Sequence, residues 1–315
     1  MKTSNQPTLI RVLSTGRAGT KFLASVFADQ GYLAYHEGLY AGEPSSALIE
    51  YTNMLGDVWG QDPDRFYAME SNFPQPYIDT VSQLLGLRKA ETGSRNWLTS
   101  MRTALTPGVK RQAGKVDVLV DCTHLLTTAT PMIERALEKT GVAVKDLVLF
   151  RNPLKMIHAI YKVEAPDYWA RSSSFSQGEG VLKAANVWGY SYRMIHDLMQ
   201  RGKKDQFEYL QLERFSTEPG YTQTIFDFLG IPFDAQAFEQ FTQKNITRSV
   251  RSSKYDTARN SDLFHDPEFS FDEQQIKAIL KVIGGVLELY NLDGQQVANE
   301  YRRFHQEEKQ QYAFR

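Results

Sequence analysis

Hydrophobic and polar positions along this chain fall into short apolar runs, read as buried strands, separated by stretches with helical spacing. Thr8–Thr15 (TLIRVLST) is a β-rich run that ends at a glycine, and Lys21–Gln30 then carries Phe22, Leu23, Val26 and Phe27 on one helical face. Gly31 closes that helix, and Tyr32–Tyr35 gives a second apolar run ending at the polar pair His36-Glu37. Residues 38–115 are rich in Pro, Gly, aromatic and polar residues, with moderate helical patterning at Ser45–Leu55 and Tyr77–Leu87. A helical, loop-rich insertion is expected there. Val116–Cys122 (VDVLVDC) and Asp146–Phe150 read as buried strands, with a helix at Pro131–Thr140 between them, which makes a βαβ unit. Phe207–Leu212 is a further strand, and Tyr221–Leu229 a helix stopped by Gly230 with Pro232 just beyond. From residue 234 the chain is expected to be mainly helical, with an irregular polar stretch at Arg248–Asp266 and a charged tail from Arg302 that frays. Alternating strands and helices predict an α/β fold whose central, mainly parallel sheet is flanked by helices.

Composition narrows the partners rather than the fold. With 42% hydrophobic and 23% charged residues over 315 positions, the chain has material for one large α/β domain. Its 36 Lys and Arg against 37 Asp and Glu leave a net charge of -1, so no global field draws nucleic acid, which is excluded as the expected partner. The lone cysteine, Cys122, permits no internal disulfide and fits a reducing, cytoplasmic setting. The N-terminal residues do not form a signal peptide, and Ile276–Tyr290 is broken by Lys277, Lys281 and Glu288 at helical spacing, so no membrane span is expected.

Chemistry enters at Ser14-Thr15-Gly16-Arg17-Ala18-Gly19-Thr20-Lys21, between the first strand and the first helix. Unpaired backbone N–H groups and the positive end of the helix dipole converge at such a junction, which suits phosphate or sulfate. Glycines let the backbone approach an anion, Thr20 offers a hydroxyl, and Arg17 a planar guanidinium. The strict Walker A pattern needs four residues between its first glycine and the closing Gly-Lys, whereas only Arg17 and Ala18 separate Gly16 from Gly19. An ordinary ATPase is therefore disfavoured.

TGRAGTKFL resembles the 5′-phosphosulfate loop of sulfotransferases that use 3′-phosphoadenosine 5′-phosphosulfate (PAPS), with Arg17, Ala18, Gly19, Thr20, Lys21 and Phe22 at the motif positions. LVLFRNPLKMIHAIY resembles the family's 3′-phosphate motif: Arg151 stands at a strand end before a helix opening at Pro153, but the motif's serine is replaced by Ala159. VLVDCTHLL resembles the strand end at which cytosolic members carry Lys-Thr-His, with Cys122 in the lysine's place and His124 in that of the catalytic base. YHEG resembles other branches, which makes Glu37 the rival base. FEYLQLERF and Phe228-Leu229-Gly230 are similar to the family's later region, with Glu213 at its glutamate and Arg214 at an acidic position.

These resemblances imply a P-loop-like three-layer fold forming one sulfotransferase-like domain over residues 1–315. They also imply PAPS as sulfuryl donor without a metal, and a small-molecule or carbohydrate acceptor. His124 or Glu37 would take the acceptor proton, Arg17 would stabilise the developing charge, and the loop with Arg151 would hold the donor. Aromatic residues such as Trp59, Trp97, Tyr168 and Trp169 are candidates either to stack on the acceptor or to fill the core. Two alternatives stand beside this reading. One is a P-loop kinase using Mg-ATP, with Asp121 as its acidic strand end, and the other a non-enzymatic nucleotide-binding protein of the same fold.

Overall fold

The computed structural model describes residues 6–16, 18–36, 45–71, 74–87, 116–162, 178–203, 205–249 and 270–313. The apolar runs form strands β1 (Thr8–Leu13), β2 (Leu33–Tyr35), β3 (Val118–Asp121), β4 (Ala143–Phe150) and β5 (Phe207–Gln211). All described pairings are parallel, in the order β2-β3-β1-β4-β5. Helix α1 (Thr20–Asp29) follows β1, and α2 (Ser45–Gln61), α3 (Pro63–Ala68) and α4 (Gln75–Leu84) lie between β2 and β3. A 3₁₀ helix (His124–Ala129) and α5 (Thr130–Glu138) lead from β3 to β4, and α6 (Pro153–Lys162) and α7 (Gly180–Arg201) from β4 to β5. The chain then runs through α8 (Leu212–Thr217), α9 (Pro219–Leu229), α10 (Ala235–Ser249), α11 (Glu273–Leu289) and α12 (Gly294–Ala313). This is the P-loop-like α/β arrangement that the sequence predicts. No helix among the described residues is long and apolar enough to cross a membrane.

Successive residues of a strand point to opposite faces, so each face of the sheet builds its own core. Ile10, Val12, Val120 and Val148 join one cluster with Phe27 of α1, Ile157 of α6, Trp188 and Tyr192 of α7 and Ile283 of α11. Leu9 and Leu119 join another with Leu55 and Trp59 of α2, Tyr77 and Val81 of α4 and Ile133 of α5. Trp59 is thereby a packing residue. It is buried, its Nε1 donates to Asp197 Oδ2 at 2.8 Å, and its ring meets Tyr190 edge-on. Trp97, Tyr168 and Trp169 lie outside the described residues.

The second face also carries a row of buried charge. Arg11 of β1 is in register with Asp121 of β3 on one side and Asp146 of β4 on the other. Its guanidinium forks onto both oxygens of Asp146 at 2.7 Å, and its NH2 group reaches Glu134 Oε1 at 2.8 Å. Gln206 Nε2 closes the network with bonds of 2.6 Å to Glu134 and Asp146. Burial alone would push the Arg11 pKa down, but the charges of Asp146 and Glu134 outweigh it and hold Arg11 above its ordinary value.

At the C-terminus, α12 continues through Arg302, where the sequence predicts a fraying tail. The reason is tertiary. Tyr301 is buried, and Arg302 forks onto Glu273 of α11 at 2.7 and 2.8 Å.

Candidate functional site

In this strand order the chain leaves β1 toward β2 on one side and leaves β4 toward β5 on the other. A crevice therefore opens at the carboxyl ends of β1 and β4, the place where open α/β sheets bind ligands. The glycine loop fills that position. Gly16 (φ 81°) and Gly19 (φ 101°) both sit in the left-handed region, which turns the chain sharply from β1 into α1. Gly19 is the N-cap of α1, no side chain caps its first turn, and no acidic residue occupies that turn. The free N–H groups and the dipole of α1 thus face the crevice without a competing carboxylate.

Ala18 and Thr20 are buried within the loop, Lys21 is exposed and Phe22 half-buried, its ring 6.0 Å from that of Phe241 on α10. Ala18 can therefore offer a ligand only its backbone, whereas Lys21 is free to swing toward an anion. Arg17 and Glu37, the other two catalytic candidates from this region, lie outside the described residues. The residue before Glu37 is informative: His36 Nε2 lies 3.1 Å from Thr20 Oγ1, tying the end of β2 to the loop hydroxyl. The sequence singles out His36-Glu37 as a polar strand end but gives no sign of that contact.

Arg151 follows β4 directly and is partly exposed. Continuing the register Leu13↔Val148 past the paired segment sets Arg151 across from Gly16, so loop and guanidinium share one crevice. The next residue fixes this corner. Asn152 Oδ1 accepts from the Leu154 and Lys155 N–H groups at 3.1 and 3.4 Å, and its Nδ2 donates to Val297 O of α12 at 3.0 Å. Lys155, one turn before Ala159 on α6, holds its Nζ 3.5 Å from Glu213 Oε1 and 3.7 Å from the Phe304 ring centroid. Ala159 itself is buried.

His124 opens the 3₁₀ helix after β3 and is buried to 8% exposure. That helix is pinned to the start of the glycine loop, because Thr127 Oγ1 accepts from Ser14 N at 3.2 Å and donates to Ser14 O at 3.1 Å. His124, Ser14, Thr15 and Thr127 line one cavity of about 50 Å³, with Thr52 and Asn53 of α2 and Ser191 and Met194 of α7. Chain segments far apart in sequence thus converge on one candidate base.

Two neighbours of His124 show what this strand end cannot do. Cys122 is fully buried, and burial, with the Asp121 charge behind it, pushes its thiol pKa well above the ordinary value. It stays a protonated, inert group, so no cation reaches the site from the lysine's position. Asp121 is buried with both oxygens engaged, Oδ1 by the Thr123 N–H at 2.9 Å and Oδ2 by the Tyr77 hydroxyl at 2.7 Å. Burial also raises its carboxyl pKa. The described residues contain no group of three His, Cys, Asp or Glu poised to hold a metal.

No family model and no curated protein matches the chain. Among solved structures, the sulfotransferase domain of the Synechococcus olefin synthase is 15% identical, with a TM-score of 0.49, over 93% of this chain and 98% of that one. The sulfotransferase domain of the curacin biosynthetic pathway is 16% identical at 0.43, over 74% and 77%. A retinol dehydratase in complex with androsterone and the inactive cofactor PAP is 16% identical at 0.44, over 90% and 81%. At these values the likeness is one of partial fold overlap, and what the chain does has to be read from its own residues.

Proposed function

We propose that this chain is a PAPS-dependent sulfotransferase that transfers a sulfuryl group to a hydroxyl or amine of its acceptor. One observation carries the reading: an uncapped helix N-terminus, entered through two positive-φ glycines, opens at the β1–β4 crevice beside Arg151, and a buried histidine stands at the neighbouring strand end. PAPS, when bound, supplies an activated sulfuryl group, whose bond to the 5′-phosphate oxygen breaks as the bond to the acceptor oxygen forms, leaving 3′-phosphoadenosine 5′-phosphate (PAP).

The residues divide the work. The N–H groups of the loop and α1, with Thr20 and Lys21, bind the 5′-side oxygens and stabilise the charge that builds on them, and Arg17 joins them. His36, through its contact with Thr20, holds that hydroxyl in position. Arg151 takes the 3′-phosphate. His124 accepts the acceptor proton from the cavity it lines, with Glu37 as the rival for that step. The kinase alternative is disfavoured by Asp121, whose two oxygens are already bonded to Thr123 and Tyr77.

Calorimetric titration of the chain with PAP beside ATP, in metal-free buffer and repeated with Arg151→Ala, tests this. Tight PAP binding that the substitution abolishes is the expected result. No preference for PAP, or preference for Mg-ATP, overturns the reading. Binding of PAP without any turnover of PAPS across a broad acceptor panel would leave the non-enzymatic alternative.

A further inference from the structure

The cavity beside His124 has a definite chemical character. Hydroxyls of Ser14, Thr15, Thr127 and Thr128 and the amide of Asn53 dominate its wall, Val187 and Met194 are its apolar residues, and no lining residue is charged apart from what His124 can carry. Two of its polar groups are unused. Asn53 Nδ2 and Thr128 Oγ1 are buried with no hydrogen-bond partner among the described residues, on side chains only 8% and 9% exposed. Buried donors without partners are costly, and a folded chain keeps them where something else completes the bond.

We infer that this cavity recognises the acceptor, and that the acceptor is a neutral, polyhydroxylated molecule of the sugar or polyol class, with Asn53 and Thr128 as its specificity residues. The inference rests on the sulfotransferase reading for the reaction, but not for the ligand chemistry. Asn53 Nδ2 can only donate, so its partner must present an oxygen lone pair. Thr128 donates and accepts, which suits a hydroxyl. A carboxylate or sulfate would meet no cation in this lining, and an apolar chain would leave both groups unpaired. Size adds a limit: about 50 Å³ holds a few water-sized groups rather than a ring. What enters is the reacting corner of a larger molecule, a hydroxymethyl or vicinal diol, with one hydroxyl reaching His124 and its neighbour reaching Asn53 or Thr128.

The test uses the full chain and three probes, methyl glucopyranoside, glucuronate and 1-octanol. Binding is read by saturation-transfer NMR with and without PAP, and turnover by transfer of labelled sulfuryl from PAPS. The glucoside should bind and react, and the charged and apolar probes should bind at least about tenfold more weakly. Asn53→Leu and the near-isosteric Thr128→Val should each weaken the glucoside about tenfold while PAP binding by calorimetry stays unchanged. Octanol or glucuronate binding as well as the glucoside, no glucoside binding at all, or full affinity in both folded variants would overturn the inference. Absence of PAP binding by the native chain is a separate failure. It removes the sulfotransferase reading, while the glucoside arm still decides the class of ligand.

Discussion

Gly19→Ala distinguishes a loop that merely turns the chain from one that binds an anion. The glycine has φ 101° and ψ 22°, beyond the usual left-handed basin, and an L-residue held there costs about 1–2 kcal/mol, toward the upper end at this φ. A Cβ at this position would also lie 2.5 Å from Leu212 Cδ2. That clash is the cheaper effect, because Leu212 is half-buried and its far end can turn at about 0.5–1.5 kcal/mol. Backbone strain therefore dominates, and the sum is about 2–3 kcal/mol. Urea denaturation should show that loss, and Gly19→Ala/Leu212→Ala should recover only the clash from it. The same backbone shift turns loop N–H groups away from the crevice, so PAP affinity measured on the folded variant should fall at least about tenfold. An unchanged denaturation midpoint would refute the strain argument, and unchanged PAP affinity in a destabilised variant would refute the loop's role in binding.

Other parts of the structure make independent predictions. Asp146→Ala leaves Arg11 buried without its main partner and should cost about 3–5 kcal/mol by urea denaturation, whereas Arg11→Met/Asp146→Leu should come close to the native stability. A double variant as unstable as Asp146→Ala would show that shape, not charge, matters there. For Asp121 the folded pKa is raised by burial, so the unfolded carboxyl ionises first as pH rises, and the stability present in acid is lost as pH climbs through the folded value. Asp121→Asn can still bond Thr123 and Tyr77 and is free of that loss, so its Tm relative to the native chain should rise between about pH 3 and about pH 7. A difference that is flat with pH would count against a perturbed carboxyl. The buried Cys122 thiol should resist Ellman's reagent in the native state and react at the rate of unfolding, and rapid labelling would contradict its burial.

The sequence makes most of the sheet legible and much of the site's wall illegible, for related reasons. β3 is visible as VDVLVDC because its residues are apolar and buried on both faces. For β4 only Asp146–Phe150 is predicted, because the preceding Ala143-Val144-Lys145 is half-exposed and looks polar although it pairs with β1 from Thr8 onward. Helix α7 goes unpredicted over 22 residues: its buried face mixes Ala184, Ala185 and Gly189 with Trp188 and Tyr192, so the apolar rhythm is weak. That helix supplies Val187, Ser191 and Met194 to the cavity, and α2 supplies Thr52 and Asn53. No local pattern announces such convergence. The charge row had a signal of a kind: Arg11 interrupts one apolar strand and Asp146 another, and opposite charges inside neighbouring buried strands predict each other.

Asp121 shows how the fold ties the charge row to the site. Its carboxylate accepts from the Thr123 N–H, which fixes the turn that delivers His124, and from Tyr77, which anchors α4 beneath the same strand end. Its backbone is in register with Arg11, whose guanidinium holds Asp146 on the far side. Polar groups buried this deeply specify one arrangement, because any slip of register would strand a charge without its partner. The outcome is a strand end committed to orienting a histidine rather than to gathering a cation. The hydroxyl-lined cavity lies against that same turn, as proton removal from an acceptor oxygen demands.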